Sequence, residues 1–113
     1  MQDHVAFIET KIFSKRATRL MDDEGLAGLQ TELARNPERA PVIEGAGGLR
    51  KARWSLKGRG KSGGIRIIYL YLKVQSIIYL VFVFAKDESA DLTPDQKRQL
   101  RMIVEAIKQE YRT

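Results

Sequence analysis

Residues 50–66 read RKARWSLKGRGKSGGIR and hold seven cations, four glycines and no acid in seventeen positions. The cations are Arg50, Lys51, Arg53, Lys57, Arg59, Lys61 and Arg66. Guanidinium and ammonium groups at this density bind phosphate oxygens and neutralise charge that develops on them. The chain as a whole carries 20 Lys plus Arg against 14 Asp plus Glu, a formal charge of +6. Outside the segment, 13 cations face 14 anions, so the basic character is local. A local patch, unlike a diffuse excess, points to a polyanionic partner.

The rest of the chemical inventory is narrow. His4 is the single histidine and there is no cysteine. Disulfides, thiolate metal sites and His-rich zinc sites are therefore excluded within one chain, and no metal is expected. Proton transfer would have to come from Lys, Tyr, Asp, Glu or Arg. Lys86 and Glu88, in FAKDES after an apolar run, are the other polar groups placed to join the cationic segment. Glu88 is a proton acceptor, an orienting partner for Lys86, or a solvated acid.

Two phosphate-loop patterns fail on context. Gly58 to Gly63 matches GxGxxG, but a strand-like run, IRIIYLYL, occupies the place where the dinucleotide fingerprint needs a helix. Gly60-Lys61-Ser62 lacks the glycine five positions earlier, where Ser55 stands. A glycine-rich hydrated hairpin is the plain alternative for residues 57–64. The cations continue onto strand-like segments at Lys51, Arg53 and Arg66, however, and strand-mounted side chains form a fixed array.

The elements that must position this array can be read in order. Val5 to Ile8 is a strand, with His4 beside it. Ile12, Phe13, Ala17, Leu20 and Met21 share a helical face. Asp22 or Asp23 caps a second helix with Leu26, Leu29 and Leu33 inside, and Asn36-Pro37 stops it. After the turn-rich PVIEGAGG, Ala52, Trp54 and Leu56 alternate with Lys51, Arg53 and Ser55. That alternation sends Trp54 to the core and puts Lys51 and Arg53 on the other face. Ile65 to Leu72 and Ile77 to Phe84 are central strands, apolar on both faces, joined by a turn at Lys73 to Ser76. Thr93-Pro94-Asp95-Gln96 opens a last helix whose stripe is Leu100, Ile103, Val104, Ile107 and Tyr111.

The order β-α-α-β-β-β-α predicts an α+β fold, a small, largely antiparallel sheet with two N-terminal helices and a C-terminal helix. The 113 residues fit one domain, 1–113. The longest apolar run is about half the roughly 20 residues of a membrane span. The opening MQDHVAFIE lacks signal-peptide character, so a cytoplasmic protein is expected.

Four stretches carry a family resemblance: GAGGLRKAR, KGRGKSGGIRIIY, YLVFVFAKDE and DLTPDQKRQL. They resemble the RelE/HigB type of toxin from bacterial type II toxin–antitoxin systems, and most closely the HigB branch with its glycine- and lysine-rich loop. The resemblance implies a RelE-like fold and a metal-independent, cofactor-free mRNA endonuclease. Such toxins enter the A site of the 70S ribosome, where the 2′-hydroxyl of the mRNA attacks the neighbouring phosphate. It also implies a neutralising antitoxin, a helix-turn-helix protein that binds operator DNA, and no membrane partner. Arg66 falls where the family holds the scissile phosphate. Lys51 and Arg53 fall on the strand with two catalytic cations, and Lys86 matches the lysine of a Gly-Lys signature, although Ala85 replaces the glycine. Lys57, Arg59 and Lys61 are the candidate RNA-binding cations of the loop. A non-catalytic RNA-binding module and an interaction domain with a hydrated basic loop are the competing readings.

Overall fold

A computed structural model describes residues 4–55, 64–87 and 91–112. The elements are β1 (Ala6–Glu9), α1 (Lys11–Leu20), α2 (Asp23–Arg35), β2 (Arg50–Trp54), β3 (Ile65–Leu72), β4 (Ile77–Ala85) and α3 (Pro94–Glu110). This is the α+β order anticipated from the sequence. Local chemistry fixes the helix starts. The Thr10 hydroxyl accepts from the Phe13 amide, and Asp22 accepts from the Gly25 amide. A complete capping box joins Thr93 and Gln96 at α3, with Pro94 in the first turn.

The four strands lie in the order β1-β4-β3-β2. The β2–β3 and β3–β4 pairs are antiparallel, while β1 joins β4 in parallel, so the sheet is mixed. One face carries Ile65, Ile67, Tyr69, Ile78, Leu80 and Val83 against Phe13 and Ala17 of α1 and Leu29 and Leu33 of α2. Trp54 is half-buried against that cluster, as its alternation required. The other face carries Ile68, Leu70, Tyr79, Val81 and Phe84 against Leu100, Val104 and Ile107 of α3. Burial on both faces is why β3 and β4 lack alternation in sequence.

A register shift places Ile68 opposite Phe82 but Tyr69 opposite Leu80, leaving Val81 as the extra residue of a bulge on β4. Val81 and Phe82 therefore both belong to the α3 face. The sequence holds no sign of this bulge, because every residue around it is apolar.

β1 pairs with β4 only as far as Leu80. Beyond it, α1 covers the β4 edge with side chains. The Thr10 hydroxyl donates to the Val81 carbonyl at 2.7 Å, and Arg16 Nε donates to the Val83 carbonyl at 2.6 Å. α1 thus sits partly over an edge, and this corrects one expectation. Ile12, assigned to the buried face by spacing, is 42% exposed. It turns instead toward a groove of about 330 Å³ lined also by Phe82, Gln96, Gln99, Leu100 and Ile103.

The connection before β2 is held from α3. Lys108 Nζ donates to the Gly47 carbonyl at 2.8 Å, and Gly47 itself has φ +72°, a conformation that side chains disfavour. No helix among the described residues is long and apolar enough to cross a membrane.

Candidate nucleic-acid interface

β2 and β3 set the cations in register. Arg53 stands directly opposite Arg66, and Lys51 opposite Ile68. Side chains at directly opposed positions start about 5 Å apart. Successive residues of a strand alternate, so Lys51, Arg53 and Arg66 share one sheet face with Ile68 and Phe84, the side on which α3 packs. Arg50 points the other way, where its guanidinium binds the carbonyls of Glu38 and Ala40 at 3.0 and 2.7 Å. That cation is structural and leaves the array.

The guanidinium of Arg66 is half-buried and turns back along its own strand. Nη1 lies 3.4 Å from the Ile65 carbonyl and 3.8 Å from where a Cβ on Gly64 would stand. At the same sheet end the Lys86 amide donates to the Gly64 carbonyl at 3.1 Å, and the Lys86 side chain is exposed. Backbone pairing therefore brings Arg66, Arg53 and Lys86 to one end of the sheet, with Lys51 one pleat further in. Among the described residues neither Arg53 nor Arg66 makes an ion pair. Like charges directly opposed across strands are destabilising, so an array kept this way favours an anion between them.

Lys51 is held differently. Its Nζ lies 3.1 Å from Asp91 Oδ1, just ahead of the α3 cap. The Leu92 amide also donates to Asp91, at 2.8 Å. That backbone hydrogen bond, followed by the Lys51 ammonium, lowers the Asp91 carboxyl below its ordinary range. Asp91 is thus the partner that sequence reading missed. It and Lys51 lie forty positions apart, and no spacing rule connects a residue before a helix cap to a strand lysine.

Lys57, Arg59 and Lys61, together with Glu88 and the whole of the GxGxxG pattern, lie outside the described residues. Strand β3 begins just past that pattern, as the rejection of a dinucleotide loop required. Among the described residues no cluster of His, Cys, Asp or Glu could hold a metal ion.

With the geometry established, two likenesses bear on it. The family model described as the RelE toxin of the RelE/RelB toxin–antitoxin system matches residues 7–112. Among solved structures the chain is similar to a two-arginine-to-alanine mutant of the Escherichia coli toxin RelE in the free state. That match has a TM-score of 0.56 and 14% identity, and it covers 78% of this chain and 90% of the other. Identity this low speaks for the fold alone.

Proposed function

The chain belongs to the RelE family of toxins from toxin–antitoxin systems, and from that premise we propose that it is a ribosome-dependent mRNA endonuclease. It cuts the codon in the ribosomal A site without a metal. The GRGKSGG sequence supports its place in the HigB branch. The 113 residues act as one toxin unit in the cytoplasm. A cognate antitoxin with a helix-turn-helix DNA-binding domain neutralises it, and the pair binds its own operator.

The observation that carries this reading is the opposed Arg53–Arg66 pair, with Lys51 on the same face and no carboxylate set against the two arginines among the described residues. In the proposed reaction the mRNA 2′-oxygen forms a bond to the adjacent phosphorus as the bond from phosphorus to the 5′-oxygen breaks. The products are a 2′,3′-cyclic phosphate and a 5′-hydroxyl end. The phosphorane-like state carries extra negative charge, which preset cations stabilise without reorganising. Arg66 grips the scissile phosphate in this scheme, and its planar fork suits two of the phosphate oxygens.

Arg53 and Lys51 stabilise the developing charge. An arginine stays ionised throughout, so Arg53 contributes charge and no proton. Lys86 or Lys61 neutralises or protonates the leaving 5′-oxygen, Glu88 or water takes the 2′-proton, and Lys57, Arg59 and Lys61 hold the backbone. With little acid/base equipment of its own, the site depends on in-line positioning of the strand, which the ribosome supplies.

Mapping 5′ ends of mRNA in a purified translation reaction tests the proposal. The wild type produces new ends within codons. Arg66→Ala, folded, loses roughly a hundredfold to a thousandfold in cleavage, the usual cost of one preset donor to a developing oxyanion. Stalling without new ends from the wild type would instead establish a non-catalytic RNA binder.

A further inference from the structure

The array on β2 and β3 is not the molecule's sole cationic surface. α1 reads KIFSKRATRL, with four cations and no acid. Lys11, Lys15 and Arg19 are exposed and recur at i, i+4 and i+8. At about 1.5 Å per residue they rise in steps of about 6 Å and span roughly 80° of the helix circumference. That step is comparable with the spacing of successive phosphates along a nucleic-acid strand. Among the described residues none of the three makes an ion pair. Acids flank the stripe on one side: Glu9, Asp22 and Asp23 line a shallow groove with Ser14 and Thr18, where Glu9 accepts from the Ser14 hydroxyl at 2.5 Å and Asp22 caps α2.

This arrangement works against the helix that carries it. Like charges four apart repel. Lys11 also sits in a first turn that has no acid, where the helix dipole disfavours a cation, while Arg19 in the last turn is favoured by it. The solvated face of a helix made for solubility mixes signs at this spacing, and α1 does not.

The stripe is also connected to the proposed cleavage face. Going round α1 from Arg19, the next side chains are Ile12 and then Arg16. The Arg16 guanidinium carbon lies 4.9 Å from the Phe82 ring centroid, while its Nε holds the Val83 carbonyl. Phe82 lies on the cationic sheet face, two residues from Phe84, which stands opposite Arg66. A positive band therefore runs from Arg66 past the phenylalanines and round the β4 edge onto α1.

We propose that Lys11, Lys15 and Arg19 form a second phosphate track, one that docks the sugar–phosphate backbone of structured RNA separate from the strand being cut. The inference rests on the nuclease reading for the identity of that RNA, the RNA of the ribosome. The track supplies affinity and orientation and takes no part in bond breaking.

The test is equilibrium binding of the full chain to purified ribosomes across a KCl series. It compares wild type with a Lys11→Gln/Lys15→Gln/Arg19→Gln variant and with a charge-keeping Lys11→Arg/Lys15→Arg/Arg19→Lys variant. Glutamine is a good helix former, so the neutral variant should melt no lower than wild type. Three phosphate contacts predict that its slope of log affinity against log salt is shallower by about 2 to 3. The charge-keeping variant should retain the wild-type slope.

An unchanged slope in the neutral variant overturns the proposal. So does an unchanged slope accompanied by lost affinity for the cognate antitoxin, which would make the stripe a protein contact. Cleavage is scored separately by 5′-end mapping. A wild type that binds with the steep slope yet cuts nothing would sink the nuclease reading and still support the track.

Discussion

Arg53 and Arg66 face each other because β2 and β3 pair in the one register that keeps Ala52 and Ile67 buried. A slip of one residue would bring the cations into the core, so the hydrophobic pattern itself fixes the arginine pair. Repulsion between opposed like charges costs about 0.2–1 kcal/mol. Arg53→Gln should therefore raise the urea midpoint by an equivalent amount while lowering cleavage, the usual relation between a functional array and the stability of its scaffold. Loss of stability in that variant would show that Arg53 is a structural residue.

Asp91 gives the opposite case, a carboxylate whose folded state favours ionisation. Its stabilising contribution is fully present above the ordinary value of 3.8 and is lost as pH falls through the lower folded value. Asp91 is largely exposed and Lys51 partly so, so Asp91→Asn should cost under about 1 kcal/mol at neutral pH. In urea melts at stepped pH, the gap between wild type and variant should hold from pH 7 down to about 4 and close below it.

Elements were the most legible level of the sequence, for local reasons. Thr93, Pro94 and Gln96 marked the start of α3 because capping is chemistry between neighbours. Asp22 marked α2 in the same way. Alternation around Trp54 gave the two faces of β2, and so located Lys51 and Arg53 together. What the sequence hid was long-range. The parallel pairing of β1, the bulge at Val81, the exposure of Ile12 and the Lys51–Asp91 contact all depend on which element lies beside which.

Two glycines make the distinction measurable. Gly28 lies inside α2, and a Cβ there would sit 3.4 Å from the Trp54 ring, an ordinary contact. Gly28→Ala should stabilise by about 0.5–1 kcal/mol through helix propensity. Gly47 has φ +72°, and a Cβ there would stand 3.1 Å from Val104 Cγ1 in the buried face of α3. Gly47→Ala should destabilise by more than about 1 kcal/mol. Thermal melts of the two variants should move in opposite directions although the substitution is the same.

The whole molecule is one sheet with an apolar cluster on each side, and β3 and β4 supply both clusters. Neither layer of helices can keep its buried face once those strands separate. Ile67 and Ile68, adjacent in sequence and both fully buried, point into different clusters. Loss of strand order at that point exposes both sides together, and this predicts a single cooperative transition. The chain carries a separate reporter on each side. Trp54 packs with the α1–α2 layer, while the Tyr79 and Tyr111 hydroxyls meet at 3.0 Å under α3. Because Tyr69 and Tyr71 lie on Trp54's side, the α3 side is read by the part of the tyrosine near-ultraviolet circular dichroism that Tyr111→Phe removes. Tryptophan fluorescence and this tyrosine signal should give the same urea midpoint. An earlier midpoint for the tyrosine signal would mean that α3 leaves the sheet on its own. That would free Lys51 from Asp91 without unfolding the remainder, whereas Arg53 is already exposed with α3 in place. Coincident midpoints would instead tie the array to global folding, so that its geometry persists wherever the sheet does.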